Sequence, residues 1–294
     1  MKRAMHRQVL ILATAQALFQ IVSVAVMTVG GLAGAMIADA PRWATLPIAT
    51  MFLGTAAMMF PASMWMARVG RRAGFVFGAL LGFRVPEHTT AFAAVAGRAR
   101  PWHQVVRQPA YLVALFGAAT GYGIMILAMT ATPIAMMHHD HTLGTAATVI
   151  QLHVLGMFLP SFVTGSLIVR FGVLRIMFTG VVLFLGHILM VLTGTGFVSF
   201  ASALILLGVG WNFLYIGGTT LLTTTYVPAE RAQAQAINDM TIFVVGLCGS
   251  FAAGGLLEAL GWERMNLVLL PWLALAALAL AWLGLRQQGL QQQE

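Results

Sequence analysis

The sequence contains very little charge and almost no cysteine. Only 8% of its 294 residues are Asp, Glu, Lys or Arg, whereas 60% are hydrophobic. A soluble domain of this length needs charged side chains at roughly a quarter of its positions, so the composition excludes an ordinary soluble fold. The single cysteine, Cys248, lies inside an apolar run and has no partner. This excludes a disulfide framework.

The sequence also lacks the motifs of common enzyme classes. It contains no G-x-S-x-G nucleophile, no H-E-x-x-H zinc motif and no Walker-type phosphate loop, so we predict that the protein is not an enzyme and needs no cofactor. The net charge of +8 does not indicate a nucleic-acid partner. The 16 basic residues lie in short clusters between apolar runs, and no basic helix is interleaved with aromatic residues.

The sequence is instead rich in apolar runs of about 20 residues or more, which are long enough to cross a ~30 Å hydrocarbon core as helices. We therefore predict an all-α, polytopic membrane protein with about eight transmembrane helices. Two spans, at residues 9–38 and 46–66, precede an apolar segment at 74–83, which at 1.5 Å per residue reaches only about 15 Å. Six further spans are predicted at residues 110–136, 145–169, 174–194, 198–226, 237–260 and 266–285.

These spans divide the chain into three parts. Residues 1–83 form a partial N-terminal bundle, residues 84–108 a basic cytoplasmic linker, and residues 109–294 a complete six-helix bundle. With the N-terminus in the cytoplasm, 14 of the 16 basic residues fall inside and only Arg42 and Arg264 outside, as the positive-inside rule expects. We predict a plasma-membrane protein, in the bacterial inner membrane, with both termini cytoplasmic.

Two short basic turns join apolar runs in corresponding positions. The first reads Arg68-Val-Gly-Arg-Arg-Ala-Gly74 and the second Arg170-Phe-Gly-Val-Leu-Arg175, with Gly172 lying 102 residues after Gly70. In this respect the chain resembles the major facilitator superfamily, whose turn is close to G-x-L-x-D-R-x-G-R-R/K. Matching positions are Arg68, Gly70, Arg71 and Arg72 in the first copy and Gly165, Arg170, Gly172 and Arg175 in the second. The acidic position falls on Ala67 and Val169.

The resemblance implies twelve helices in two six-helix bundles, which move a small solute by alternating access. Corresponding turns of the two halves would then lie roughly 180–200 residues apart, at ~20 residues a span. The observed spacing is shorter by about 80–100 residues. We therefore expect an internally shortened member that lacks most of the third helix and the fourth to sixth helices of its first half.

The resemblance also implies that the first, second, fourth and fifth helices of each half line the solute cavity. The polar and aromatic residues on those helices are candidates for solute binding, and Asp239 is a candidate for the gate. The solute-binding candidates are Gln20, Tyr122, Gln151, His153, Trp211, Asn212 and Tyr215. Tyr and Trp near span ends also serve as interfacial anchors, and Asn or Gln within a span also bonds a neighbouring helix.

Histidines are the ionisable residues that lie well inside spans. His153 could couple transport to protons, or it could pack against a backbone partner. No carboxylate lies near the middle of a span in the predicted bundle. The run His138-His-Asp-His141 has metal-ligating side chains, but adjacent histidines in a flexible loop rarely form a preorganised site. We predict no metal site.

Two hypotheses follow from these patterns. The first is a secondary transporter of a small organic solute, with membrane lipid and a second copy of the chain as further partners. Aromatic rings with amides suit a flat, weakly charged molecule, and both riboflavin-like vitamins and drug-like molecules fit. The second is an inactive or scaffold remnant of a shortened transporter. A membrane metal enzyme that uses the histidines is a third reading, and it predicts bound metal in purified protein.

Overall fold

A computed structural model describes residues 100–291, together with the isolated positions Thr50 and Leu53. Apart from these two positions, the first two predicted spans, the basic turn at residues 68–74, the apolar segment at 74–83, Gln20 and most of the predicted linker lie outside the described residues. Regular structure within 100–291 is entirely helical. The helices are α1 (Trp102–Val106), α2 (Pro109–His138), α3 (Leu143–Phe158), α4 (Ser161–Phe171), α5 (Val173–Val191), α6 (Phe197–Thr223), α7 (Arg231–Leu267) and α8 (Leu270–Gln291).

Five stretches of the described chain are long and apolar enough to cross a membrane. The last of them, Arg231–Gly289, has 59 residues and as one straight helix would measure about 90 Å, roughly three times the hydrocarbon core. It is bent at Gly261, whose φ of 74° and ψ of 174° are not helical. The six crossings are thus Pro109–His138, Leu143–Phe171, Val173–Val191, Phe197–Thr223, 231–260 and 262–289.

Each of these crossings overlaps one of the six spans predicted after residue 109. The prediction of an all-α polytopic membrane protein is therefore confirmed. One detail was not predicted: the crossing Leu143–Phe171 is two helices, α3 and α4, separated at Leu159 and Pro160. Because Pro160 has no N–H, it cannot continue the hydrogen-bond ladder of α3, and the chain starts a new helix at Ser161.

Antiparallel crossings place most of the described basic residues at one end of the bundle. We call it the basic end. It carries Arg100, Arg107, Arg170, Arg175, Arg231 and Arg286, whereas Arg264 lies at the opposite end. The second basic turn is at this end, between α4 and α5. There Gly172 has φ 88° and ψ 147°, a conformation that is essentially restricted to glycine, so the turn depends on that residue.

Helix α6 lies at the centre of the bundle and packs against α2, α3 and α5. Its contact with α3 is backbone to backbone. A Cβ atom on Gly208 would lie 2.5 Å from the carbonyl oxygen of His153 and 2.8 Å from the amide nitrogen of Met157. A Cβ atom on Gly156 would lie 2.8 Å from the carbonyl oxygen of Ile205. Such small residues let membrane helices approach closely, where van der Waals contact replaces the hydrophobic effect as the cause of association.

The outer faces of the bundle are apolar. On α4, Phe162 and Val169 are 87% and 89% exposed, and on α5 Phe178 and Leu189 are exposed as well. In contrast, α2 is mostly buried among its neighbours. Apolar side chains on the outside are the expected surface of a protein whose solvent is lipid.

The Gly208 contact predicts a large difference between two glycine-to-alanine substitutions. In Gly208→Ala the new methyl group meets the α3 backbone, which cannot move aside as a side chain can, and overpacking of this kind costs about 1–3 kcal/mol. In Gly165→Ala the methyl group meets no atom within 4 Å and raises helix propensity. We expect thermal unfolding in detergent to show Gly208→Ala several degrees below the wild type and Gly165→Ala at or above it. Equal melting temperatures would contradict the packing described.

Candidate functional site

Five aromatic side chains from four helices form a continuous row, which we call the aromatic row. It consists of Phe158 on α3, Trp211 and Tyr215 on α6, Tyr122 on α2 and Phe243 on α7. Along the row the ring centroids are 6.1 Å apart for Phe158 and Trp211, 5.0 Å for Trp211 and Tyr215, 6.0 Å for Tyr215 and Tyr122, and 5.7 Å for Tyr122 and Phe243.

Helix geometry places these rings together. Trp211 and Tyr215 are four residues apart on α6 and therefore lie on the same face. Their rings are nearly parallel, with an angle of 12° between the planes. Tyr122 lies against α7 at Gly246, where a Cβ atom would be only 2.8 Å from the Tyr122 ring. The small residue on α7 thus makes room for the ring on α2.

The row unites three of the seven predicted solute-binding residues, Tyr122, Trp211 and Tyr215. Two members, Phe158 and Phe243, were not predicted, because the sequence argument considered only side chains that carry a polar atom. Helical spacing offered a signal for both. Phe158 follows Gln151 by seven residues, two turns of α3, and Phe243 follows Asp239 by four.

Trp211 has one further property. Its side chain is 7% exposed, and its indole Nε1 has no hydrogen-bond partner among the described residues. The indole of Trp272, by comparison, donates from Nε1 to Thr120 Oγ1 at 2.8 Å although that residue is 42% exposed. Buried Trp N–H groups usually find a partner, so Trp211 retains an unused donor beside the stacked pair.

Asn212 makes three hydrogen bonds to protein groups on α3 and α4. It is fully buried, and its Oδ1 accepts from Thr164 Oγ1 at 2.6 Å. Its Nδ2 donates to the carbonyl of Met157 at 2.7 Å and to Ser161 Oγ at 2.6 Å. Because α3 ends at Phe158, its last carbonyls lack partners within the helix. The Nδ2 of Asn212 supplies a partner for one of these carbonyls, that of Met157, and so bridges the break between α3 and α4.

The two buried histidines attach the flanking helices to α6. His153 on α3 donates from Nδ1 to the carbonyl of Leu204 at 2.8 Å. His187 on α5 donates from Nδ1 to the adjacent carbonyl, that of Ala203, at 2.9 Å. Its Nε2 lies 2.9 Å from Asn266 Oδ1. Both imidazoles therefore have an interhelical contact with backbone, the packing alternative considered for His153.

The remaining candidates are dispersed. Gln151 is exposed on α3. Asp239 is partly buried on α7 and accepts a hydrogen bond at Oδ1 from Asn238 Nδ2 at 2.9 Å. Gly165, Arg170, Gly172 and Arg175 lie on α4, α5 and the turn between them, and the Arg170 guanidinium lies 5.2 Å from the centroid of the Phe171 ring. The predicted residues Gln20, Arg68, Gly70, Arg71 and Arg72 lie outside the described residues.

The histidine-rich loop does not assemble ligands for a metal. His141 Nε2 bonds the carbonyl of Thr195 at 2.7 Å, and its ring packs edge-on against Phe200. Within residues 100–291, no three His, Cys, Asp or Glu side chains come close enough to hold an ion.

Residues 111–293 match the Major Facilitator Superfamily. The chain is 41% identical over 196 residues to the riboflavin transporter RfnT of Brucella anthropi, a match that covers 67% of this chain and 49% of RfnT. It is 35% and 36% identical over 147 residues to two uncharacterized MFS-type transporters of Bacillus subtilis, YdeG and YddS, covering 49% and 47% of this chain and 34% of each relative. The matched stretch thus spans half or less of these relatives. That share agrees with the predicted internal shortening.

The hydrogen bonds of Asn212 predict a structural phenotype. Asn212→Ala leaves the buried Met157 carbonyl without this partner, which costs about 1–3 kcal/mol, and also removes the bonds to Thr164 and Ser161. Thr164→Val removes one hydroxyl and leaves one amide oxygen unpaired. We expect thermal unfolding to rank the wild type above Thr164→Val and Thr164→Val above Asn212→Ala. A wild-type melting temperature for Asn212→Ala, with weakened solute binding, would show that Asn212 contacts solute instead.

Proposed function

Because the chain belongs to the major facilitator superfamily, a family of membrane transporters rather than enzymes, we propose that it moves a flat, conjugated organic solute across the membrane by alternating access. The observation that carries the proposal is the aromatic row. Its rings belong to α2, α3, α6 and α7, the helices of the first, second, fourth and fifth crossings. Transporter sites in folds of this kind lie near the membrane midplane, at the interface between halves.

The row suits a planar heteroaromatic ring for a physical reason. Each aromatic face contributes offset or edge contacts to a neighbouring ring system, and stacking of a nucleobase on a protein ring is worth about 1–3 kcal/mol. The parallel pair Trp211 and Tyr215 offers the largest face, and the free Trp211 N–H can donate to a ring carbonyl. A flavin ring has this combination of planarity and carbonyl acceptors. The similarity to RfnT supports a riboflavin-like solute over other drug-like molecules.

Polar side chains complete the proposed site. Gln151 lies two turns from Phe158 on α3, about 10 Å along the axis, and can bond a hydroxylated side chain of the solute. Gln20 remains the candidate from the first half of the chain. We assign Asn212 and His153 to the framework, because their hydrogen bonds hold α3 against α6.

The charge distribution supports an orientation. Six of the seven described Lys and Arg residues lie at the basic end, which the positive-inside rule places in the cytoplasm. We propose that this end faces the cytoplasm of a bacterial inner membrane, with the C-terminus on that side. The turn at Gly172 and Asp239 near the start of α7 then belong to the cytoplasmic gate.

The predicted shortening of the first half supports a second reading. A bundle of six crossings needs a partner surface for its cavity face, supplied by residues 1–83 or by a second copy of the chain. A chain without such a partner would be an inactive or scaffold remnant. The two readings differ in solute flux, because only a transporter carries solute across a sealed membrane.

Flux into vesicles tests the proposal. We expect vesicles that contain the wild-type chain to exchange riboflavin faster than empty vesicles, and ribitol, which lacks the ring, not to compete. Trp211→Ala or Tyr215→Ala removes one stacking face and should raise KM about five- to hundredfold. Phe178→Ala, an exposed aromatic on α5 outside the row, is the matched control and should leave KM unchanged. Wild-type flux equal to that of empty vesicles would support the remnant.

A further inference from the structure

The strongest ionic contact in the described chain lies outside the aromatic row. Arg100, two residues before α1, forms a two-point contact with Glu230, the last residue before α7. Arg100 Nε donates to Glu230 Oε1 at 2.8 Å, and Arg100 Nη2 donates to Oε2 at 2.8 Å. The backbone N–H of Arg100 also donates to Oε1 at 2.8 Å. Bidentate contacts of this type are among the strongest hydrogen bonds in proteins and fix geometry as well as energy.

The same contact closes the α6–α7 loop. Glu230 Oε2 also accepts from the N–H of Val227 at 3.1 Å. The carbonyl of Thr225, near the end of α6, accepts from Arg100 Nη2 at 3.1 Å and from Gln108 Nε2 at 2.8 Å. Every polar atom of the Glu230 carboxylate is therefore paired, and the residue is only 4% exposed.

The carboxylate is ionised at any physiological pH. The hydrogen bond from Arg100 is the largest cause that lowers the pKa of Glu230 from its ordinary value of 4.5 to about 2. Because the folded-state pKa is depressed, the stabilisation from this pair is fully present above about pH 4.5 and is lost only as the pH falls toward 2. The pair is therefore a constant feature of the working protein.

The position of the pair matters more than its strength. Arg100 lies two residues before α1 and Glu230 directly before α7, so the pair joins the starts of these two helices at the basic end. A second bond, from Tyr111 OH to the carbonyl of Ala234 at 2.8 Å, continues the attachment between α2 and the first turn of α7. Helix α7 carries Asp239 and, 13 residues after Glu230, the ring of Phe243. A displaced start of α7 therefore displaces both.

We propose that Arg100 and Glu230 are a positioning pair for transport: they fasten the start of α1 to the α6–α7 loop and hold the basic end of α7 in the register that turnover requires. The inference rests on the proposed function. Neither residue touches the aromatic row, so the pair acts on solute through α7. The pair should affect the rate at which the bundle changes conformation more than the affinity of the aromatic row for solute.

The test separates binding from turnover. Arg100→Gln and Glu230→Gln should each lower kcat for riboflavin flux about tenfold, which corresponds to a barrier raised by about 1.4 kcal/mol. Equilibrium binding of riboflavin to the purified chain should stay within about twofold. Arg100→Lys keeps the charge without the two-point geometry and should recover part of the rate. Arg286→Gln is the control, because it removes a cation from the same end. Arg286 forms no ion pair within residues 100–291, so this variant should leave kcat unchanged.

A second measurement does not require transport. Hydrogen exchange of the peptide that contains Thr225 to Arg231 should accelerate in Arg100→Gln and Glu230→Gln and return toward the wild type in Arg100→Lys. Unchanged exchange overturns the fastening role whether or not solute moves. Faster exchange with an unchanged kcat shows a tether without a role in turnover and overturns the proposal. A wild-type chain that neither binds nor moves riboflavin overturns the proposed function, and the role in turnover with it.

Discussion

The close approach of α6 to α3 is the contact on which the rest of the bundle depends. Inside a bilayer, apolar side chains gain little by leaving lipid for protein, so helices associate through tight packing and interhelical hydrogen bonds. Gly208 and Gly156 allow the two backbones to touch. At that spacing the imidazole of His153 reaches the carbonyl of Leu204, and the amide of Asn212 reaches the end of α3. One short distance thus fixes packing and polar contacts together.

The same contact sets the candidate site. Trp211 follows Gly208 by three residues on α6, and its ring meets Phe158, two residues after Gly156 on α3. A wider spacing between these helices would separate the two rings and break the row at its first link. The site and the framework are therefore built from adjacent residues of the same two helices. Substitutions that loosen the crossing should affect stability and solute recognition together, whereas ring substitutions at the row leave the backbone contact intact.

The sequence predicted the crossings well because apolar run length corresponds directly to bilayer thickness. Three residues of the row, Tyr122, Trp211 and Tyr215, are among the predicted solute-binding residues, because that prediction selected polar and aromatic side chains on these helices. It could not predict that Asn212 bridges α3 and α4, because a single sequence does not show which side of α6 faces that break. The pairing of Arg100 with Glu230 joins residues 130 positions apart, a separation that no local pattern encodes. Phe158 and Phe243 were not predicted, because the sequence does not show whether a phenylalanine ring faces the cavity or the lipid.

The proposed function requires that a conjugated ring stack on the Trp211 and Tyr215 pair. Titration of riboflavin fluorescence with the purified chain tests it most directly, because stacking on an indole or phenol ring quenches the emission of a flavin. We expect saturable quenching by the wild-type chain and its loss when Trp211 and Tyr215 are both replaced by leucine, which retains bulk but not the aromatic face. Saturable quenching that is equally strong in that double variant, or none in the wild type, would contradict it.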